Sequence, residues 1–212
     1  LGAQHCNVLD VRETLVDETS MWTNWADELG ISPGTLLAVF GALIARGEAY
    51  SEIGRYLPVA DWRRHRSAVE ARYGSFRPED LYPDVIPSLP RLQKRFRVAV
   101  LGNQPAGRTA QLRALGVDAE VMAMSDEIGV AKPDAAFFRE TLQRLGDPDP
   151  STVAYVGDRV DNDVLPAHAA GMRSVWLRRG PWGRIPTQIP DEADLVVDSL
   201  AELVERADEA WG

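Results

Sequence analysis

The feature that most restricts the fold of this chain is a regular alternation of apolar runs and amphipathic segments. Runs that are typical of buried strands occupy residues 97–101, 119–124, 151–158, 173–179 and 193–199. Helical patterns are predicted between them at 107–116, 134–146 and 162–171, and a last helix at 200–211. Repeated strand–turn–helix units predict an α/β protein with a doubly wound parallel sheet.

A second block, residues 16–82, has only helical patterns, at 17–30, 34–47 and 59–74. It follows the stretch NVLDVRETL (7–15), whose first residues predict another strand that ends at Asp10. We therefore predict an α/β core domain of residues 1–15 and 83–212, with an all-helical domain of residues 16–82 inserted after the first strand. The segment 82–90 is interpreted as the boundary, and 181–194 as an irregular piece.

Charge and composition exclude some functions. The net charge of -9 and the pI near 4.9 argue against nucleic-acid binding, which depends on a basic face. A local cationic pocket can still bind a small phosphorylated substrate. No apolar run approaches the roughly 18 residues of a membrane span, and we find no signal-peptide pattern. A single cysteine, Cys6, suits a reducing cytoplasm. The sequence is silent on oligomeric state.

Polar residues follow the predicted strands at points that a parallel sheet would bring together. Open α/β sheets bind ligands beyond the carboxyl ends of their strands. The residues found there are Asp10 with Thr14, Gly102 with Asn103, Lys132 before a helix, Asp158, and Asn162 with Asp163.

Each of these signals has an ordinary explanation when taken singly. Asp10 can form a turn or cap a helix, Lys132 can be a solvated lysine, and Gly157-Asp158 can be a strand-to-helix turn. Together they match the needs of phosphoryl transfer, which are an in-line nucleophile, a divalent cation and positive charge around the phosphoryl oxygens.

In order and spacing, these motifs and the helical insertion resemble the haloacid dehalogenase superfamily of hydrolases with a helical (C1-type) cap, over essentially the whole chain. The resemblance implies a Rossmannoid core with residues 16–82 as the cap. It also implies that Asp10 is the nucleophile and that Lys132 balances charge. A Mg²⁺ ion would be held by Asp10, the backbone carbonyl of Arg12 and Asp158, with Asp163 ligating it or supporting its ligands. Thr14, Gly102 and Asn103 would bind the substrate.

Two positions depart from the family pattern. Arg12 stands where family phosphatases usually carry a second Asp, the general acid, whose contribution is about 10²–10⁴-fold. We therefore expect a weaker phosphatase or one that selects good leaving groups, and we expect the Arg12 guanidinium to face solvent or contact the cap. Gly102 stands where the family has Ser or Thr, so one substrate hydrogen bond is missing, although backbone N–H groups near Asn103 can bind an oxygen.

The sequence therefore favours a Mg²⁺-dependent phosphatase that acts on a small phosphorylated molecule through an aspartyl-phosphate. Two alternatives remain: a metal-independent 2-haloacid dehalogenase-type hydrolase, and a weakened member that binds a ligand or a protein partner. The run RRHR (63–66) is interpreted as a solvated face, with binding of an acidic substrate as the alternative. Arg178, Arg179 or Trp182 can border the site.

Overall fold

Six strands in the described part of the chain form one parallel sheet. The computed structural model describes residues 5–48, 50–57, 59, 61–186 and 188–212. The strands are β1 (Cys6–Leu9), β2 (Arg97–Gly102), β3 (Val121–Met124), β4 (Val153–Gly157), β5 (Arg173–Leu177) and β6 (Leu195–Val197). Their order in the sheet is β3-β2-β1-β4-β5-β6, and all pairs are parallel. The predicted α/β fold with a parallel sheet is confirmed.

Ten α-helices accompany the sheet in the described part of the chain. The first three lie in the predicted insertion, and they are α1 (Thr19–Leu29), α2 (Pro33–Ala45) and α3 (Arg66–Tyr73). The others are α4 (Val85–Gln93), α5 (Arg108–Ala114), α6 (Ser125–Ile128), α7 (Ala135–Arg144), α8 (Leu165–Ala169), α9 (Gly180–Arg184) and α10 (Leu200–Arg206).

Both faces of the sheet are buried, because successive side chains of a strand point to opposite faces. On β1, Cys6 and Val8 pack on one face with Phe137 and Phe138 of α7. Leu9 belongs to the core on the other face, whose helical members include Leu92 of α4 and Leu203 of α10. The strand that leads to Asp10 is therefore buried on both faces.

The predicted insertion contributes a further hydrophobic core, against which Trp182 and Ile185 pack. It contains Trp22, Trp25, Leu36, Phe40, Trp62 and Val69. Local signals define these helices: Gly30 ends α1 with φ of 67°, and Ser32 caps α2 by accepting a hydrogen bond from Thr35 N at 3.1 Å. The predicted helix 59–74 was too long at its start. Its described part begins with a 3₁₀ turn, Trp62–His65, and Ala60 lies outside the described residues.

The two chain segments that connect the insertion to the sheet run side by side. Asp17 N donates to Asp80 O at 2.8 Å, Tyr82 N donates to Leu15 O at 3.0 Å, and Val16 and Leu81 form an antiparallel bridge. The segment 82–90, interpreted as the boundary of the insertion, contains most of α4. The piece 181–194 begins with most of α9, so the prediction that it is irregular was wrong for its first residues.

No single helix of the described residues reaches the length and hydropathy needed to span a membrane. The pair α1 and α2 reaches these limits only when the two helices are joined across a bend of 112°.

Candidate active site

Side chains from the carboxyl ends of three neighbouring strands meet at one cavity. Asp10 follows β1, Asn103 follows β2 and Asp158 follows β4, while Lys132 comes from the loop between α6 and α7. These four residues and Arg12 line a cavity of about 140 Å³. Asp163 lies in the π-helical turn Val160–Val164 and adds a third carboxylate.

Lys132 connects two of the acids. Its side chain is fully buried, and Nζ lies 2.8 Å from Asp10 Oδ1 and 2.5 Å from Asp163 Oδ1. Burial alone would lower the pKa of Lys132, but the attraction of Asp10 and Asp163 outweighs it and holds that pKa well above its usual value. The ammonium group therefore stays charged and fixes both carboxylates.

Asp10, Asp158 and Asp163 form a buried acidic triad. One oxygen of each lies within 4.8 Å of the others. Asp163 Oδ2 accepts a hydrogen bond from Arg159 N at 3.0 Å, whereas Asp158 Oδ2 is buried without a hydrogen-bond partner.

The pKa values of these acids follow from burial and mutual repulsion. Burial, together with Asp163 and Asp10, raises the pKa of Asp158 well above its usual range. Burial also raises the pKa of Asp10, to about 6, although Lys132 opposes this shift. When ionised, the triad carries three negative charges against one ammonium. An oxygen donor set with an unpartnered buried carboxylate oxygen fits a hard divalent cation.

Two glycines make room for the acids. A Cβ atom on Gly102 would overlap Oδ1 of Asp10 and lie 3.2 Å from the backbone N of Val11. A Cβ atom on Gly157 would overlap the carboxylate of Asp163. Gly102 does not line the cavity, so its contribution is the space that Asp10 occupies.

The Asn103 side chain is bonded to the backbone of Lys132. Its Nδ2 donates to Lys132 O at 2.9 Å, and its Oδ1 accepts from Lys132 N at 2.8 Å. Asn103 therefore positions the lysine, while its contact with a substrate stays a prediction.

Thr14 does not line the cavity. Its hydroxyl is buried without a hydrogen-bond partner, and its backbone carbonyl accepts from Arg179 at 2.8 Å.

The Arg12 guanidinium contacts the start of the helical insertion. Its Nε lies 3.0 Å from Glu18 Oε1, and Glu18 is the residue before α1. The side chain of Arg12 is 41% exposed. The guanidinium thus contacts the helical insertion and is also partly exposed to solvent.

Glu13 is a cavity residue that the sequence analysis missed. It lines the cavity, adopts φ of 49° and accepts hydrogen bonds from Glu18 N at 3.1 Å and from the Tyr82 hydroxyl. Burial and the nearby Glu18 raise the pKa of Glu13 to about 7. The one indication in the sequence was that Glu13 follows Asp10 by three residues. It was not used, because an acid in a polar turn is usually solvated.

Aromatic side chains and a second arginine complete the wall of the cavity. Trp22 and Phe40 come from α1 and α2, and Trp182 comes from α9. The Trp182 ring meets Phe40 edge-on with centroids 5.6 Å apart, and the Arg159 guanidinium lies 4.0 Å above Trp182. The expectation that Trp182 borders the site agrees with this position, whereas Arg159 was not foreseen.

Parts of the sequence are similar to known proteins. The sequence profile of a family described as HAD-hydrolase-like matches residues 129–203. Glyceraldehyde 3-phosphate phosphatase of Methanopyrus kandleri is 37% identical over 129 residues, which are 58% of this chain and 55% of that protein. The chain thus spans about half the length of this relative.

Two solved structures show the same fold over nearly the whole chain. A putative HAD-hydrolase of Bacillus subtilis bound to magnesium is similar with a TM-score of 0.71 and 15% identity, covering 95% of this chain and 97% of that one. A 2-haloacid dehalogenase of Pseudomonas syringae pv. Tomato has a TM-score of 0.62 and 22% identity, covering 99% and 100%. At these identities the likeness concerns the fold alone.

Proposed function

We propose that the chain is a Mg²⁺-dependent phosphatase that acts on a small phosphorylated molecule. In support, residues 129–203 match the HAD-hydrolase-like family, and the fold is similar to that of a HAD-hydrolase over nearly the whole chain. One observation carries the proposal. The carboxylate of Asp10, held by a fully buried ammonium group, lies in a cavity beside Asp158, which has a buried oxygen without a partner.

The first step is attack by an Asp10 oxygen on the phosphorus atom of a phosphate ester. The bond from phosphorus to the leaving-group oxygen breaks, that oxygen keeps the electron pair, and an aspartyl-phosphate forms. Water then attacks the phosphorus atom, inorganic phosphate is released, and the Asp10 carboxylate is restored. Splitting the reaction in this way replaces one difficult step with two easier ones.

Lys132 serves both steps by electrostatics. Its Nζ contacts Asp10 Oδ1 at 2.8 Å, so it fixes the direction of attack and places positive charge near the phosphoryl oxygens. Asn103 holds the Lys132 backbone at both its N–H and its carbonyl group. It therefore acts as a positioning residue.

The acidic triad is the proposed metal site. Asp10, the Arg12 backbone carbonyl and Asp158 would hold Mg²⁺, with Asp163 ligating it or supporting its ligands. When bound, the metal neutralises charge on the phosphoryl oxygens. The relative from Methanopyrus kandleri is named a phosphatase, which supports this class of activity.

Arg12 cannot donate a proton to the leaving group at neutral pH, since a guanidinium stays protonated. The proposed enzyme therefore favours esters whose leaving groups are stable as anions.

Residues 16–82 are proposed to form the cap domain, because Trp22 and Phe40 from this block line the cavity that contains Asp10. A cap in this place excludes water from the reacting atoms.

A test uses phosphate release from aryl and alkyl phosphates, with Mg²⁺ and with EDTA. We expect Mg²⁺-dependent release that is faster for aryl phosphates and is lost, by at least about 10³-fold, in Asp10→Asn. The exposed residue Asp126 gives a matched control, and Asp126→Asn should retain the native rate.

Other results would favour the alternatives. Metal-independent halide release from 2-haloacids that depends on Asp10 would replace the phosphatase with a dehalogenase. Tight binding of phosphate esters without turnover of either class would identify a binding protein.

A further inference from the structure

A second cavity, of about 270 Å³, adjoins the one that contains Asp10. The two cavities share Arg12, Glu18 and Trp22, so these three side chains form the boundary between them. The remaining wall of the second cavity comes from the helical insertion and consists of Met21, Trp25, Trp62, Arg63, Arg66 and Glu70. Nothing in the hydrolysis of the phosphate ester itself requires this space.

The second cavity has an excess of positive charge. Arg12 is paired with Glu18 at 3.0 Å, and Arg66 is paired with Glu70 at 2.7 Å. Arg63 lies over the Trp62 ring, 5.6 Å from its centroid, and forms no ion pair with a carboxylate among the residues that the structure describes. Three arginines therefore face two glutamates in one cavity of an acidic protein.

Three indole rings contribute to the wall of the second cavity. Trp22, Trp25 and Trp62 are each more than nine-tenths buried, yet all three line the cavity. Trp22 also lines the first cavity. A molecule that reacts at Asp10 and extends along Trp22 would therefore pass flat apolar surfaces before it reaches Arg63.

We propose that the second cavity binds the non-reacting end of the substrate, and that this end is an anionic group on an apolar or aromatic leaving group. This inference rests on the proposed function, because it assumes that the phosphoryl group occupies the cavity at Asp10. Arg63 is the specificity-determining residue, since its charge is not matched by a carboxylate of the described chain. Within the RRHR run (63–66), Arg63 is then the residue that selects the substrate.

Equilibrium binding of two matched compounds tests the inference. Phenyl phosphate and 4-carboxyphenyl phosphate differ only in a carboxylate at the far end of the ring. Calorimetry uses the full chain carrying Asp10→Asn, so that neither compound is hydrolysed. We expect the carboxylated compound to bind about tenfold more tightly, because a charge-assisted hydrogen bond to an exposed arginine lies at the lower end of its usual strength.

Substitution at position 63 should remove this preference. In Arg63→Gln we expect the two compounds to bind about equally, while Arg63→Lys retains part of the preference. Arg64 is the matched control, since this exposed neighbour contacts His65 Nε2 at 3.2 Å and lines neither cavity. Arg64→Gln should keep the full tenfold preference.

Three results would overturn the inference: equal binding of both compounds to the parent chain, no binding of the carboxylated compound at millimolar concentration, or a preference that survives Arg63→Gln. Failure of the proposed function would be recognised separately. In that case the native chain releases no phosphate from either compound with Mg²⁺, whereas the binding comparison still decides the role of Arg63.

Discussion

At the scale of single residues, Asp10 depends on the absence of a side chain at Gly102. The space that a Cβ atom would fill there is taken by Asp10 Oδ1, which is also the atom bonded to Lys132 at 2.8 Å. The family pattern suggests a lost hydrogen bond at this position. The structure adds a steric reason for glycine, because a larger residue would compete with the carboxylate.

We expect Gly102→Ala to lower kcat for phosphate esters by at least about tenfold, since moving Asp10 away from Lys132 costs more than about 1.4 kcal/mol of transition-state stabilisation. Steady-state kinetics and a crystal structure of the variant are the measurements. Gly34→Ala is the control, because a Cβ atom there meets nothing within 4 Å. A native kcat in Gly102→Ala would show that Asp10 tolerates displacement.

Glu13 should make stability depend on pH. Its pKa is raised from 4.5 to about 7 by burial, so the folded state holds a proton between these values that the unfolded chain releases. Stability is therefore lost as pH rises from about 4.5 to 7, by about 3 kcal/mol in total.

The change Glu13→Gln keeps an uncharged hydrogen-bonding group and removes the titration. We expect Glu13→Gln to be about 3 kcal/mol more stable than the native chain at pH 8 and nearly equal to it at pH 4.5, measured by urea unfolding with EDTA. Glu79→Gln, with a side chain that is 66% exposed, should follow the native chain at both pH values. A constant difference between Glu13→Gln and the native chain across this range would contradict the assignment.

At the scale of elements, Arg179 joins the end of β5 to the segments that flank the helical insertion. It donates to Thr14 O at 2.8 Å, pairs with Asp84 Oδ2 at 2.5 Å and lies 4.1 Å from the Tyr82 ring centroid. Asp84 Oδ2 also accepts from Leu200 N at 2.8 Å, at the start of α10. Arg179 and Asp84 together thus connect the loop after β1, the segment before α4 and the start of α10.

We expect Arg179→Ala to lower the free energy of unfolding by about 3 kcal/mol, because it removes the charged partner of Asp84 and the side-chain donor to the Thr14 carbonyl. Arg178→Ala is the matched control. Its ion pair with Asp198 is about 40% exposed on both sides, so it should cost less than about 1 kcal/mol. Equal effects of the two substitutions in urea unfolding would refute a special role for Arg179.

The helix α4 was missed, and its two prolines disfavour a helix locally. No helix was predicted at 82–90, yet Val85–Gln93 is helical although it contains Pro87 and Pro90. Pro87 lies in the first helical turn, where its missing N–H removes no helical hydrogen bond. Burial of Val85, Leu89 and Leu92 stabilises the helix despite Pro90. Packing of this kind is decided by distant residues and is not readable from the segment.

At the scale of the whole molecule, a metal ion should stabilise a protein whose site gathers acids and whose net charge is -9. Binding to the folded state alone raises the midpoint of thermal unfolding by mass action. We expect a rise of about 5–10 °C when Mg²⁺ exceeds its dissociation constant about a hundredfold.

This rise should shrink as pH falls. The pKa of Asp10 is raised to about 6 by burial, and the metal binds only the ionised form, so protons compete with Mg²⁺ below that pH. Thermal unfolding at pH 7.5 and 5.0, with Mg²⁺ or EDTA, measures the effect. Asp158→Asn should abolish the Mg²⁺ response. A response that is equal at both pH values would argue against the acidic triad as the metal site.

The sequence alone determined the parallel α/β sheet, because strand and helix patterns depend on the spacing of apolar residues along the chain. The acids and the lysine were also found from the sequence, since each follows a predicted strand or precedes a predicted helix. Their proposed roles remain predictions, but their convergence at one sheet edge follows from the parallel topology.

Only the tertiary structure decided how these residues are used. In the folded chain Arg12 pairs with Glu18, and Asn103 is hydrogen-bonded to the backbone of Lys132. Glu13 lines the cavity, whereas Thr14 does not. The physical reason is that such contacts join residues from different elements, with side-chain directions set by packing. The nucleophile candidate is thus visible in the residue pattern, whereas the space around it is defined by residues that are distant in the chain.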